Sequence, residues 1–154
     1  LKNNAVKVMS SGYMRLHPKS VPMEAKISGY YSNSLMAILE ARKNGYDEAL
    51  LLDYNGNVAE GPAENFFIVK NNILMTPPLG NILPGVTRDS IIALAKGNKI
   101  KVEEKNFWIK DAKKADEAFI TGTGAEITPI IQTQTSRQVQ SLSIRILRQH
   151  RRFQ

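Results

Sequence analysis

The 154-residue chain has no cysteine, which excludes disulfides, thiolate catalysis and cysteine-ligated zinc or iron–sulfur centres. Its two histidines, His17 and His150, are too few and too far apart to suggest a metal site, so none is expected. No apolar run approaches the roughly 20 residues of a membrane span, and the first ten residues alternate polar with apolar instead of forming a signal-peptide core. Together these features predict a cytoplasmic chain without membrane association. Acid is missing from one place only. Residues 1–130 carry 16 Lys and Arg against all 14 Asp and Glu, whereas residues 131–154 hold five arginines, six glutamines and no carboxylate. The formal charge of +7 is therefore concentrated at one end. Lysine is the main base before residue 130 and arginine the only one after it. Such a switch predicts a segment of different origin at 131–154, either a basic interaction tail or the product of a shifted reading frame. The chain also opens on Leu1, so it is expected to be part of a longer protein.

What remains is an ordinary globular composition, 42% hydrophobic and 23% charged, with length for one core. Residues Ala5 to Met9 read as a strand, and a loop with two prolines follows, His17-Pro-Lys-Ser-Val-Pro22. Leu35, Met36, Ile38, Leu39 and Ala41 recur at helical spacing, and Asn44-Gly45 is a fitting stop. Glu48 to Asp53 predicts a buried strand, the Asn-Gly pair within Tyr54–Asn57 a tight turn, and Val58–Glu60 the returning strand. Phe66 to Lys70 and Ile73 to Thr76 predict a hairpin about Asn71-Asn72. A helix through Ile91, Ile92, Leu94 and Ala95 is expected with Thr87 as N-cap. Strands at Ile100–Glu103 and Ala118–Thr121, with a short helix from Asp111 to Ala115, complete an α+β domain without strict βαβ alternation.

Four features could carry chemistry. Lys26 lies between a proline loop and Ile27-Ser-Gly-Tyr-Tyr31. A lysine kept partly out of water can become an imine-forming nucleophile, although the same position also suits an exposed loop lysine. Glu60 and Glu64 bracket Gly61-Pro-Ala63 where a strand pattern breaks off. They could bind a cationic ring nitrogen, act as acid and base, or belong to a solvated turn. Leu83-Pro-Gly-Val-Thr-Arg88, before a helix, and Thr121-Gly-Thr-Gly-Ala125, after a strand, could cradle an anion or be ordinary turns. Neither has dinucleotide-fingerprint or P-loop spacing. One ligand satisfies all four features: pyridoxal 5′-phosphate, with its aldehyde, ring nitrogen and phosphate.

With these blocks in view, residues 1–130 resemble the large C-terminal domain of a fold-type IV, or class IV, pyridoxal-phosphate aminotransferase. The similarity is greatest to the branched-chain amino acid aminotransferases. It rests on Ala25–Tyr31, Gly45–Asp53, Glu60-Gly-Pro-Ala-Glu-Asn65, Leu83–Arg88 and Thr121–Glu126, in the family's order and close to its spacings. It implies the D-amino acid aminotransferase-like fold and places an imine to the cofactor on Lys26, which would also shuttle the Cα proton. It implies Glu60 at the ring nitrogen, Tyr31 near the phenolate oxygen, Leu83 against the ring, and Val86, Thr87 and Thr123 at the phosphate. Gly124 and Ala125 would face the substrate carboxylate. Glu64 favours the branched-chain type, because 4-amino-4-deoxychorismate lyases and D-amino acid transaminases of this fold often have serine there.

The implied activity is transfer of the amino group of leucine, isoleucine or valine to 2-oxoglutarate by a homo-oligomeric full-length protein. Tyr30 stands where the family often has asparagine, and Gly124 where it often has alanine. The family's smaller N-terminal domain, with an arginine for the phosphate, has no counterpart here, and the resemblance stops near Ile131. These departures favour a shifted frame for residues 131–154 and predict that the 154-residue chain is inactive by itself. A non-enzymatic alternative is nucleic-acid binding through the basic tail. It is disfavoured because no aromatic residue interleaves the tail's arginines before Phe153.

Overall fold

A computed structural model describes residues 5–131. The elements run β1 (Val8–Met14), a short 3-10 turn (Ser28–Tyr30), α1 (Tyr31–Lys43), β2 (Glu48–Leu52), β3 (Asn65–Lys70), β4 (Ile73–Thr76), α2 (Val86–Gly97), β5 (Lys101–Glu104), α3 (Ile109–Ala112), β6 (Glu117–Gly122) and β7 (Glu126–Pro129). Five strands form a mixed sheet in the order β5-β4-β3-β6-β7, and β1 and β2 pair separately. The basic segment discussed above lies outside the described residues, apart from Ile131.

The continuous run Phe66–Val69 in β3 is apolar because both faces of its sheet are covered. Phe67 and Val69 point to one side, where Phe119, Ile127 and Leu74 meet Ile91, Ile92 and Ala95 of α2. Phe66 and Ile68 point to the other, against Leu50, Val58, Phe107, Ala112 and Ala118. Phe67 and Phe119, on adjacent strands, stack with ring centroids 5.1 Å apart. On the far side of β2, Ala37 and Ala41 of α1 meet Ala49 and Leu51. Parallel β1 and β2 are joined through α1, and parallel β4 and β5 through α2, so two βαβ crossovers sit within a hairpin-rich fold.

Several expectations shift in detail. The inner face of α1 carries Ser34, Ala37 and Ala41, while Leu35, Met36 and Leu39 stay about half exposed (54%, 46% and 50%). Close approach to Ala49 selects the small residues, leaving the larger apolar ones outside. Gly85, not Thr87, is the N-cap of α2; its carbonyl accepts the Asp89 N–H, and no side chain caps the helix. The shift follows from packing, since a Cβ on Gly85 would stand 2.2 Å from Asn65 Oδ1. Only glycine lets the helix start so close to β3. The first strand begins at Val8 and runs to Met14, later than the apolar pattern suggested. The short helix begins at Ile109, and β7 has no counterpart among the expected elements. The β3–β4 hairpin falls where predicted, with Asn71 and Asn72 both at positive φ (51° and 61°), a conformation that asparagine tolerates.

Candidate active site

The predicted return strand Val58–Glu60 does not form a regular strand. Val58 bridges Leu52, but Leu51 accepts from the Ala59 N–H and donates to the Glu60 carbonyl, so two residues oppose one. Such a bulge re-aims the side chain that follows it. Glu60 is 4% exposed. Its carboxylate receives Arg15 Nε at 2.6 Å, Asn65 Nδ2 at 3.1 Å and the Leu83 N–H at 3.1 Å. Burial pushes this carboxyl up to about 7, against the Arg15 guanidinium and the Leu83 N–H, which pull it down. Glu64, half-buried, is also raised, by burial and by the nearby Glu48 carboxylate, while the Ala63 N–H opposes the shift. The two glutamates thus hold different posts. Glu60 is locked among donors, and Glu64 folds back on the turn, its Oε2 accepting from Ala63 at 3.0 Å.

Glu60 forms part of the wall of a cleft of about 440 Å³, open mouth included, that is also lined by Lys26, Tyr30, Tyr31, Glu64 and Leu83. Lys26 is exposed on that cleft, not withdrawn from water as its predicted chemistry anticipated. Val86, Thr87, Thr123, Gly124 and Ala125 are not among the residues that line it. Val86 and Thr87 open α2, Val86 80% exposed and Thr87 half-buried. Thr123 and Gly124, exposed, and Ala125, half-buried, form the β6–β7 turn.

One end of the sheet unites these pieces. Asn65, first residue of β3, pairs with Thr121 near the end of β6. Its Nδ2 donates both to Glu60 and, at 2.9 Å, to the Leu83 carbonyl just before α2. Gly122 backs onto the Glu60–Glu64 loop, where an added Cβ would fall 3.2 Å from the Ala63 carbonyl oxygen. Buried Ser34 of α1 anchors the same loop by donating to the Pro62 carbonyl at 2.7 Å. Arg15, Asn65 and Ser34 were not singled out in the sequence. Arg15 is 45 residues from its partner and has no local signal, whereas Asn65, at the end of the Glu60–Asn65 block, could have been found there. Among the described residues no His/Asp/Glu cluster could hold a metal, and no helix is long and apolar enough to cross a membrane.

Comparison with known proteins agrees with this arrangement. The family model for amino-transferase class IV matches residues 1–133. The branched-chain-amino-acid aminotransferase of Salmonella typhimurium is 44% identical over 129 residues, covering 83% of this chain and 42% of the relative. The chain thus spans less than half the length of that protein. Among solved structures, the branched-chain aminotransferase of Thermoproteus uzoniensis with norvaline superposes with a TM-score of 0.93 at 43% identity, over 99% of this chain and 52% of that one. The PLP form of the Thermobaculum terrenum branched-chain amino acid aminotransferase gives 0.82 at 39% identity, over 84% and 43%. The fold is that of these fold-type IV enzymes, and the chain belongs to the class IV aminotransferase family.

Proposed function

We propose that the chain is the cofactor-binding part of an aminotransferase that moves the amino group of a branched-chain L-amino acid to 2-oxoglutarate, with pyridoxal 5′-phosphate as its cofactor. The observation that carries this reading is the convergence of a lysine amine, Lys26, and a buried carboxylate, Glu60, on one cleft. The start of α2 is tied to that carboxylate through Asn65 and Leu83. The donor set fits the cofactor: an amine for its aldehyde, a carboxylate for its ring nitrogen, and a helix start whose side chains leave its N–H groups uncapped for its phosphate. Thr121 Oγ1, buried with no partner among the described residues, adds a hydroxyl at the same end of the sheet. The names of the relatives support the substrate class, and Glu64 favours it over a lyase or a D-amino acid transaminase.

When bound, the cofactor supplies an electron sink for negative charge at the substrate Cα. Lys26 Nζ would hold the cofactor at its aldehyde carbon, with loss of water, and once displaced there by the substrate amine would be free to hold and move the Cα proton. Glu60 would keep a proton on the ring nitrogen, and a protonated ring accepts the charge that develops at the substrate Cα, so holding that proton favours the transition state over the ground state. Arg15, Asn65 and the Leu83 N–H keep that carboxylate in place. Tyr31 serves the phenolate oxygen and Leu83 packs against the ring. Val86, through its backbone N–H, holds the phosphate together with Thr87 and Thr123. The N–H groups of Gly124 and Ala125 receive the substrate carboxylate.

In this reading residues 1–130 are the large domain, and the whole protein is a cytoplasmic homo-oligomer acting on small amino and oxo acids. The 154-residue chain alone turns over little or nothing. The test is borohydride reduction of the protein with pyridoxal phosphate, followed by peptide mapping. A pyridoxyl label on Lys26 supports the assignment, and a label on Lys43 or Lys70 instead overturns it.

A further inference from the structure

Arg88 is the largest fully buried side chain among the described residues, 1% exposed, and the functional reading above assigns it nothing. Its position is electrostatically odd. It lies in the first turn of α2, where the helix dipole disfavours a cation and favours an anion. The guanidinium reaches out of the helix: Nη2 donates to the Pro77 carbonyl at 3.0 Å and to Glu104 at 2.8 Å, while Nη1 lies 3.4 Å from Asp89. Pro77 directly follows β4 and Glu104 ends β5. One side chain therefore fastens the first turn of α2 to two neighbouring strand ends. Asn65 crowds Gly85, where an added Cβ would stand 2.2 Å from Asn65 Oδ1 and 3.7 Å from the Arg88 Cβ. Nε is buried without a partner among the described residues. A buried charge held so incompletely is costly, and hydrophobic packing would hold the helix at less expense.

We infer that Arg88 is a positioning residue that holds the start of α2 so that the Val86 and Thr87 N–H groups meet a phosphate monoester. The inference rests on the functional reading above and extends it to a residue outside the cleft. A single fixed anchor matters because α2 has no side-chain N-cap to define its first turn. Arginine suits the task, since its planar fork serves a carbonyl and a carboxylate together, which a lysine ammonium does less well. Glu104 offsets the charge, so Arg88 acts through geometry and not as an added cation for the ligand.

Two ligands separate this role from general support of the fold. Pyridoxal has the aldehyde and ring of pyridoxal phosphate but no phosphate, so the ratio of their affinities isolates the contribution of the phosphate cradle. Both are titrated by absorbance against the unmodified protein and the Arg88→Gln and Arg88→Lys variants, with circular dichroism to confirm folding. The unmodified protein should prefer the phosphorylated ligand. Arg88→Gln should lower that preference about tenfold, leaving pyridoxal affinity unchanged, and Arg88→Lys should fall between. Equal loss for both ligands, or no loss, overturns the inference while leaving the functional reading intact. Failure of the unmodified protein to prefer the phosphate ester overturns that reading and the inference together. Should Arg88→Gln not fold, Glu104→Gln carries the test, because its partly exposed side chain can change without burying an orphan. A preference reduced at least about threefold supports the anchor, and an unchanged preference overturns it.

Discussion

Replacing Arg15 with leucine should produce a destabilisation that grows with pH. In the unmodified chain Arg15 Nε stands 2.6 Å from Glu60 Oε1, and both side chains are almost fully covered (9% and 5% exposed). Burial already lifts the Glu60 carboxyl from 4.5 to about 7. A carboxyl raised on folding contributes stability that is complete below its unfolded value and is lost as pH climbs through its folded one. For Glu60 that window runs from 4.5 to about 7. Without Arg15 the carboxyl rises further and the loss continues to higher pH. Below about pH 6 both proteins carry a protonated Glu60, and the variant should differ only by the packing of its new side chain. Above about pH 7 the variant binds one proton that the unmodified chain has released, so the gap widens by about 1.4 kcal/mol per pH unit. Near pH 9 it should approach about 3 kcal/mol, the lower end of the cost of breaking a buried ion pair. Urea denaturation of both proteins across this range measures it. Adding Glu60→Gln to both should make the gap pH-independent. Parallel stability curves with Glu60 intact would show that Arg15 does not govern the charge on Glu60.

The remaining predictions concern the same end of the sheet. Glu60→Gln in the active protein should slow leucine transamination about 10²–10³-fold while the fold persists, because a neutral amide cannot keep the ring nitrogen protonated; near-normal turnover would remove Glu60 from the chemistry. Gly85→Ala should cost about 1–3 kcal/mol in urea melts, since its Cβ would fall 2.2 Å from Asn65 Oδ1. In an Asn65→Ala background the same change should cost much less, and additivity of the two would contradict the close approach. Ser34→Ala strands the Pro62 carbonyl and should cost about 1 kcal/mol, with slower proteolysis of the Glu60–Glu64 loop as the result that would refute it.

The sequence by itself determined the local elements and the chemical inventory. The apolar run at Phe66–Val69, the Asn71-Asn72 turn and the Ile91–Ala95 spacing were legible because hydrophobic patterning and turn residues are local properties. Lys26, Glu60, Leu83, Val86, Thr87, Thr123, Gly124 and Ala125 could be named because they sit in compact blocks. What those blocks do to one another was decided only by the tertiary structure. The Glu60 carboxylate takes its surroundings from Arg15, 45 residues earlier, and Leu83, 23 residues later. Its raised affinity for a proton comes from burial in the folded chain, which no local pattern announces. Gly85 displaced Thr87 as the cap of α2 because Asn65 approaches it across the fold. Likewise, α1 turned its alanines inward because Ala49 of β2 lies against it. In each case distance along the chain conceals a contact within a few ångströms, and packing, not propensity, selects the residue that fits.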